Sequence, residues 1–146
     1  MPRDLQVVAP MERLYVRDGI EVALITVELW SRGVIVRLAG LPSELTEQLE
    51  RSYHHALDEW GRARRESRPH EERPPDQPAE RLFDISVSLG DDLGTSYSSR
   101  VSSRGGSGML MRANWTFEPG PPDSVSYLTV TVEGEEITSS SVRVAV

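Results

Sequence analysis

At 146 residues the chain is long enough to bury a core within a single domain. It has no cysteine, which excludes disulfides and thiolate-ligated metals, and its net charge of −7 opposes unspecific attachment to nucleic acid or anionic lipid. No apolar run approaches the roughly 18 residues of a membrane-spanning helix. The opening MPRDLQVVAP lacks the apolar centre of a secretion signal, so a cytoplasmic location is expected.

All 16 basic residues are arginine. Arginine forks suit phosphate and carboxylate, but these are scattered along the chain and interleaved with acids, which points to the codon usage of a GC-rich genome. Asn114-Trp115-Thr116 fits a glycosylation sequon and, without a secretion signal, reads as chance.

The first forty residues read as a meander of strands. Residues 5–9 are a short apolar run closed by Pro10. Residues 14–17 lead into Asp18-Gly19, a pair favoured in type I′ hairpin turns because both central positions need positive φ. Between Ile20 and Trp30, alternation places Ala23, Ile25, Val27 and Leu29 on one face and Thr26 and Glu28 on the other. Ser31-Arg32-Gly33 then turns the chain into residues 34–39.

At Leu41-Pro42-Ser43 the period changes. Ser43 is placed to cap a helix, with Glu44 and Glu47 at its positive end. Leu45, Leu49, Tyr53, Ala56, Leu57, Trp60 and Ala63 recur at helical spacing as one apolar stripe about 120° wide. Glu47 and Asp58 each precede an arginine, Arg51 and Arg62, by one turn. Arg62, Arg64 and Arg65 crowd the negative end. The spacing predicts an amphipathic helix over 43–66, about 35 Å long, lying across a face or open end of the strands and covering apolar surface there. Residues 67–80, SRPHEERPPDQPAE, hold four prolines among charges and predict a flexible linker.

Beyond the linker the two-residue period returns. Phe83, Ile85, Val87 and Leu89 alternate with Asp84, Ser86 and Ser88. Gly90 to Gly94 carry turn chemistry, residues 95–103 read as a polar edge strand, and 104–108 as a glycine-rich loop. A strand over 109–118 bears Trp115 and Phe117 and is broken by Pro119 to Asp123. Residues 126–133 turn Leu128, Val130 and Val132 inward, and within 137–146 the residues Val142, Val144 and Val146 share a face. These elements predict a mainly β protein: one antiparallel β-sandwich domain over 1–146, interrupted by the helix and linker.

Three stretches stand out in the C-terminal half. They are Asp91-Asp92-Leu93-Gly94-Thr95-x-Tyr97, Gly105-Gly106-x-Gly108, and Trp115-Thr116-Phe117-Glu118-Pro119 leading to Leu128-Thr129-Val130-Thr131-Val132. With them, roughly 83–146 resembles immunoglobulin-like sandwich proteins, notably actinobacterial ones. The resemblance implies an immunoglobulin-like fold and transfers no functional residue. Asp123-x-Val125-x-Tyr127-x-Thr129 mimics a tyrosine corner, but Tyr127 shares its parity with Thr129 and Thr131, one residue off the apolar set.

Several groups of side chains have the composition of a chemical site. His54 and His55 are helix neighbours whose side chains diverge by about 100°, so they cannot share a metal. His54 with Asp58 supplies two ligands at most, and zinc would need a third, which only His70 in the linker offers among histidines. Asp91 and Asp92 are the oxygen ligands calcium prefers; the spacing of a calcium loop is absent, and aspartate's local hydrogen bonding accounts for the turn. A phosphate loop feeds a helix, whereas 104–108 has strands on both sides. Arg62, Arg64, Arg65 and Arg68 lie beside Trp60 but are offset by Glu59, Glu66, Glu71 and Glu72, so nucleic acid is not an expected partner. No serine sits in a nucleophile elbow.

The sequence thus points to a non-enzymatic protein-interaction or assembly module with neither metal nor cofactor. It would dock a partner protein or a second copy, as a homodimer, with Tyr53, Trp60, Asp91, Asp92 and Tyr97 as interaction residues. The alternative is a small-ligand or carbohydrate-binding domain, in which Trp30, Trp115 or Tyr97 stacks a sugar beside Asp91 or Asp92.

Overall fold

The computed structural model describes residues 5–105 and 111–146, with Val101 by its backbone alone. The strands are β1 (Gln6–Val8), β2 (Glu12–Arg17), β3 (Ile20–Leu29) and β4 (Val34–Gly40), followed by the helices α1 (Glu44–Arg65) and α2 (Pro78–Leu82). Then come β5 (Ser86–Asp91), β6 (Ser98–Gly105), β7 (Met111–Glu118), β8 (Tyr127–Glu133) and β9 (Ser140–Ala145). One sheet runs β1-β3-β4-β7-β6, with β2 also on β3, and the other runs β5-β8-β9; every pairing is antiparallel. Both sheets contribute to one core, in which Leu24, Val27, Val36, Phe117, Leu128 and Val130 are fully buried. The architecture is the expected β-sandwich with a long helix inserted between its sheets in sequence.

β1 and β2 are two pieces of a single edge strand, since both pair with β3, at opposite ends of it. The break falls at Pro10, which has no N–H to donate, and at Met11, whose φ is 54°. The Asp18-Gly19 turn has φ of 53° and 80°, as the type I′ geometry requires. Within β3 the inward set differs from strict alternation. A bulge between Leu24 and Thr26 shifts the register against β4, so Ile20, Val22 and Leu24 face the core before it and Val27 and Leu29 after it. One unpaired residue is enough to exchange the two faces. The glycine-rich connection from 106 to 110 lies outside the described residues.

α1 begins at a capping box. Ser43 Oγ accepts from the Thr46 N–H (3.4 Å) and Thr46 Oγ1 from the Ser43 N–H (2.8 Å). The helix ends in a Schellman motif: the Arg68 N–H reaches the Ala63 carbonyl (2.8 Å), the Ser67 N–H reaches Arg64 (3.3 Å), and Ser67 takes φ of 54°. The ion pairs along it also differ from expectation. Arg62 lies 3.7 Å from Glu59, not one turn back at Asp58, and His54 lies 3.6 Å from Glu50.

The segment expected as linker does not run unstructured to residue 80. Pro78–Leu82 form α2, with proline in the first helical turn where its missing N–H costs nothing. Ala79, Leu82 and Phe83 are buried in the common core. α2 is fastened from two strands, β2 and β6. Tyr15 Oη donates to the Leu82 carbonyl (2.7 Å), and Arg17 donates to the carbonyls of Arg81 (2.8 Å) and Asp84 (2.9 Å). From β6, Arg104 donates to the Phe83 carbonyl at 3.0 Å. Burial pushes the Tyr15 hydroxyl above its ordinary pKa, which keeps it a proton donor at all working pH values.

Because α2 closes this part of the core, the α1 stripe is left with less to cover than its spacing suggested. Of the stripe only Ala63 is buried, and Leu45 stays 42% exposed. Leu45 rests on the β2–β3 turn so closely that a Cβ on Gly19 would lie 2.7 Å from Leu45 Cδ1.

Candidate functional site

α1 carries the side chains that a partner could use, and the fold presents them in two hollows. The first lies between α1, the Asp18 turn and α2. Leu49, Tyr53 and Ala56 form one wall, Pro75 and Pro78 the other, and Ile20 and Leu82 also line this groove of about 330 Å³. Its rim carries an ion pair between Arg81 and Asp18 at 2.7 Å. The Arg81 hydrogen bond holds the Asp18 carboxyl below the usual carboxylate range, so the pair stays charged at neutral pH.

The second hollow, about 660 Å³ and more open, lies at the other end of the helix between Trp60, Ala63 and the returning segment of Pro69, His70, Pro74 and Pro75. The Trp60 indole N–H donates to the Glu71 carbonyl (2.8 Å), the Arg64 guanidinium lies 5.4 Å from the ring centre, and His70 meets the ring edge-on. Tyr53 and Trp60 therefore share a helix but open into different hollows. Around them the basic cluster is drawn into ion pairs: Arg68 with Glu66 (2.7 Å) and Glu59 (3.1 Å), and Arg62 with Glu59.

The other three candidate residues sit at the far end of β5. Asp91 accepts hydrogen bonds from the Leu93 N–H (2.9 Å), the Thr95 N–H (3.0 Å) and the Tyr97 hydroxyl (2.7 Å). Asp92 accepts from the N–H groups of Ser126 (2.9 Å) and Tyr127 (3.3 Å), which ties this turn to the start of β8. Both carboxylates are thus occupied by the fold, and β6 starts only at Ser98 because Thr95 and Tyr97 belong to the Asp91 turn. Burial works against ionisation of Asp91, but the hydrogen bonds from Thr95, Tyr97 and Leu93 outweigh it and bring its pKa to about 2. The folded value lies below the ordinary 3.8. The stabilisation is therefore complete above about pH 4 and is lost as pH falls towards 2. Urea unfolding between pH 5 and pH 2 should show this loss in the native chain, and Asp91→Asn should flatten that part of the profile. Equal slopes for the two proteins would contradict it.

Trp115 is 5% exposed and belongs to the core, whereas Trp30, at the end of β3, is 43% exposed. Tyr127 lies on the outer face of β8 with the Arg143 guanidinium 4.0 Å from its ring centre, so no tyrosine corner forms. Among the described residues no three histidine, aspartate or glutamate side chains cluster as a metal site. No described helix is long and apolar enough to cross a membrane. No family model matches the chain, and neither does a curated protein or a solved structure.

Proposed function

We propose that the chain is a protein-interaction or assembly module that docks through α1, and that the occupant is a second copy of itself. The observation that carries this is the half-covered stripe: a helix of 22 residues on which only Thr46 and Ala63 are buried, above an apolar groove lined by Leu49, Tyr53 and Ala56. Self-docking is favoured by charge. Glu44 and Glu47 occupy the first turn and Arg62, Arg64 and Arg65 the last. Two antiparallel copies therefore bring opposite charges together at both ends, and the stripe centres on Tyr53 and Ala56, where a two-fold axis would pass. The role is contact, not catalysis. In support, Asp91 and Asp92 accept hydrogen bonds that hold the turn they belong to, which accounts for both residues by structure. The immunoglobulin-like resemblance of residues 83–146 and a cytoplasmic setting fit the same role.

Light scattering over a concentration series tests it. The mass should rise from the 16.3 kDa of one chain towards twice that, with a micromolar midpoint suited to a small interface. Ala56→Arg, at an exposed groove position, should abolish the rise while leaving the melting temperature in place. A native chain that stays monomeric at its highest soluble concentration would overturn the proposal.

A further inference from the structure

A separate cleft at one end of the sandwich shares no residue with α1 or α2. Three loops distant in sequence form it: Ser31 and Arg32 after β3, Ser96 with Ser98 and Arg100 entering β6, and Glu118 at the end of β7. Its volume is about 640 Å³, within the range of small-ligand sites. Gly120 brings the loops together, since it lies against the carbonyls of Trp30 and Ser31 where no Cβ fits.

The polar groups converging here have a consistent chemistry. Arg100 Nε donates to Glu118 (3.1 Å), which orients the guanidinium and leaves its terminal nitrogens without a partner among the described residues. Arg32 and the hydroxyls of Ser31, Ser96 and Ser98 likewise make no hydrogen bond or ion pair with any described residue. Two guanidinium forks against one carboxylate leave a net positive charge in a chain whose total is −7. Forked donors beside hydroxyl donors match the oxygens of phosphate or carboxylate, to which arginine binds bidentately.

We infer that this cleft binds the oxyanion group of a small polar ligand, a phosphoryl or carboxylate group, with Arg32 and Arg100 as its principal contacts. Titration of the full chain at constant ionic strength, followed by amide and arginine Nε–H resonances, tests this with three probes: inorganic phosphate, glucuronate and glucose. Saturable shifts centred on Ser31, Arg32, Ser96, Ser98 and Arg100 are expected with phosphate or glucuronate, at millimolar dissociation constants. Phosphate alone would assign a phosphorylated ligand, glucuronate alone an acidic sugar, and both the oxyanion in general. Arg32→Ala should weaken binding about tenfold, Arg100→Lys should weaken it less, and Arg13→Ala, at an ion pair with Glu21 elsewhere, should not change it. Shifts no larger at the cleft than around Arg13, or glucose binding as well as glucuronate, would overturn the inference.

Discussion

Replacing Arg17 with methionine should lower the unfolding free energy by about 3–5 kcal/mol, an effect far above that of a typical surface change. Arg17 is only 7% exposed and has no carboxylate partner among the described residues. Its guanidinium donates instead to three carbonyls, those of Arg81, Asp84 and Glu135. One side chain on β2 therefore fastens the end of α2, the entry to β5 and the turn between β8 and β9, which joins the two sheets. Methionine fills the volume but abandons all three carbonyls in a place where water replaces the lost donors poorly. Charged hydrogen bonds of this kind contribute roughly 1.5–3 kcal/mol each, with incomplete additivity. For a domain of this size the loss corresponds to a fall in melting temperature of about 10 °C. Urea and thermal unfolding measure it, and a loss under about 1 kcal/mol would show that the three bonds contribute little net stability. Arg17→Lys should recover only part, because an ammonium cannot span the same fork.

Phe83→Ala should cost a similar amount, about 3–5 kcal/mol, for a different reason. Phe83 is fully buried directly after α2, where its ring and the aliphatic side chains of Leu82 and Ala79 close the core. Truncation leaves a cavity that the surrounding strands cannot collapse into. Phe117→Ala on β7 is the comparison, since Phe117 is equally buried but lies within a strand. Both variants should be destabilised, yet only Phe83→Ala should speed amide exchange in α2 and disturb the Tyr53 groove resting on it. Identical exchange patterns would contradict the role given to α2. Arg17 and Phe83 act on adjacent residues, so their double variant should lose less than the sum.

How far each element is legible in the sequence depends on the reach of the interactions that form it. Strands such as Tyr127–Glu133 were legible because alternation is a local property, and α1 because Ser43 and a seven-residue stripe announce it. α2 was not. Its approach, with three prolines among charges, reads as linker, and the signal that could have revealed it is brief: Pro78 at a helix start, followed by Ala79, Leu82 and Phe83 at helical spacing. Arg17 and Arg104 were lost among 16 arginines, because their partners are backbone carbonyls, which every sequence offers equally. The β3 bulge was invisible for the same reason, since register depends on the partner strand. At the candidate site, Asp91 and Asp92 were legible as turn residues, whereas the Tyr97 hydrogen bond and the Arg32–Arg100 cleft arise only when distant loops meet.

Self-docking through α1 can be read most directly by cross-linking, which the absence of native cysteine makes simple. A single thiol at Ala56→Cys, on the exposed side of the helix near the expected two-fold axis, should give a disulfide-linked dimer rapidly at micromolar concentration. A thiol at Ser88→Cys, exposed on the outer face of β5, should remain unlinked on that timescale. Equal rates of linkage at the two positions would mean that the chains meet only by random collision and that α1 is not where they dock.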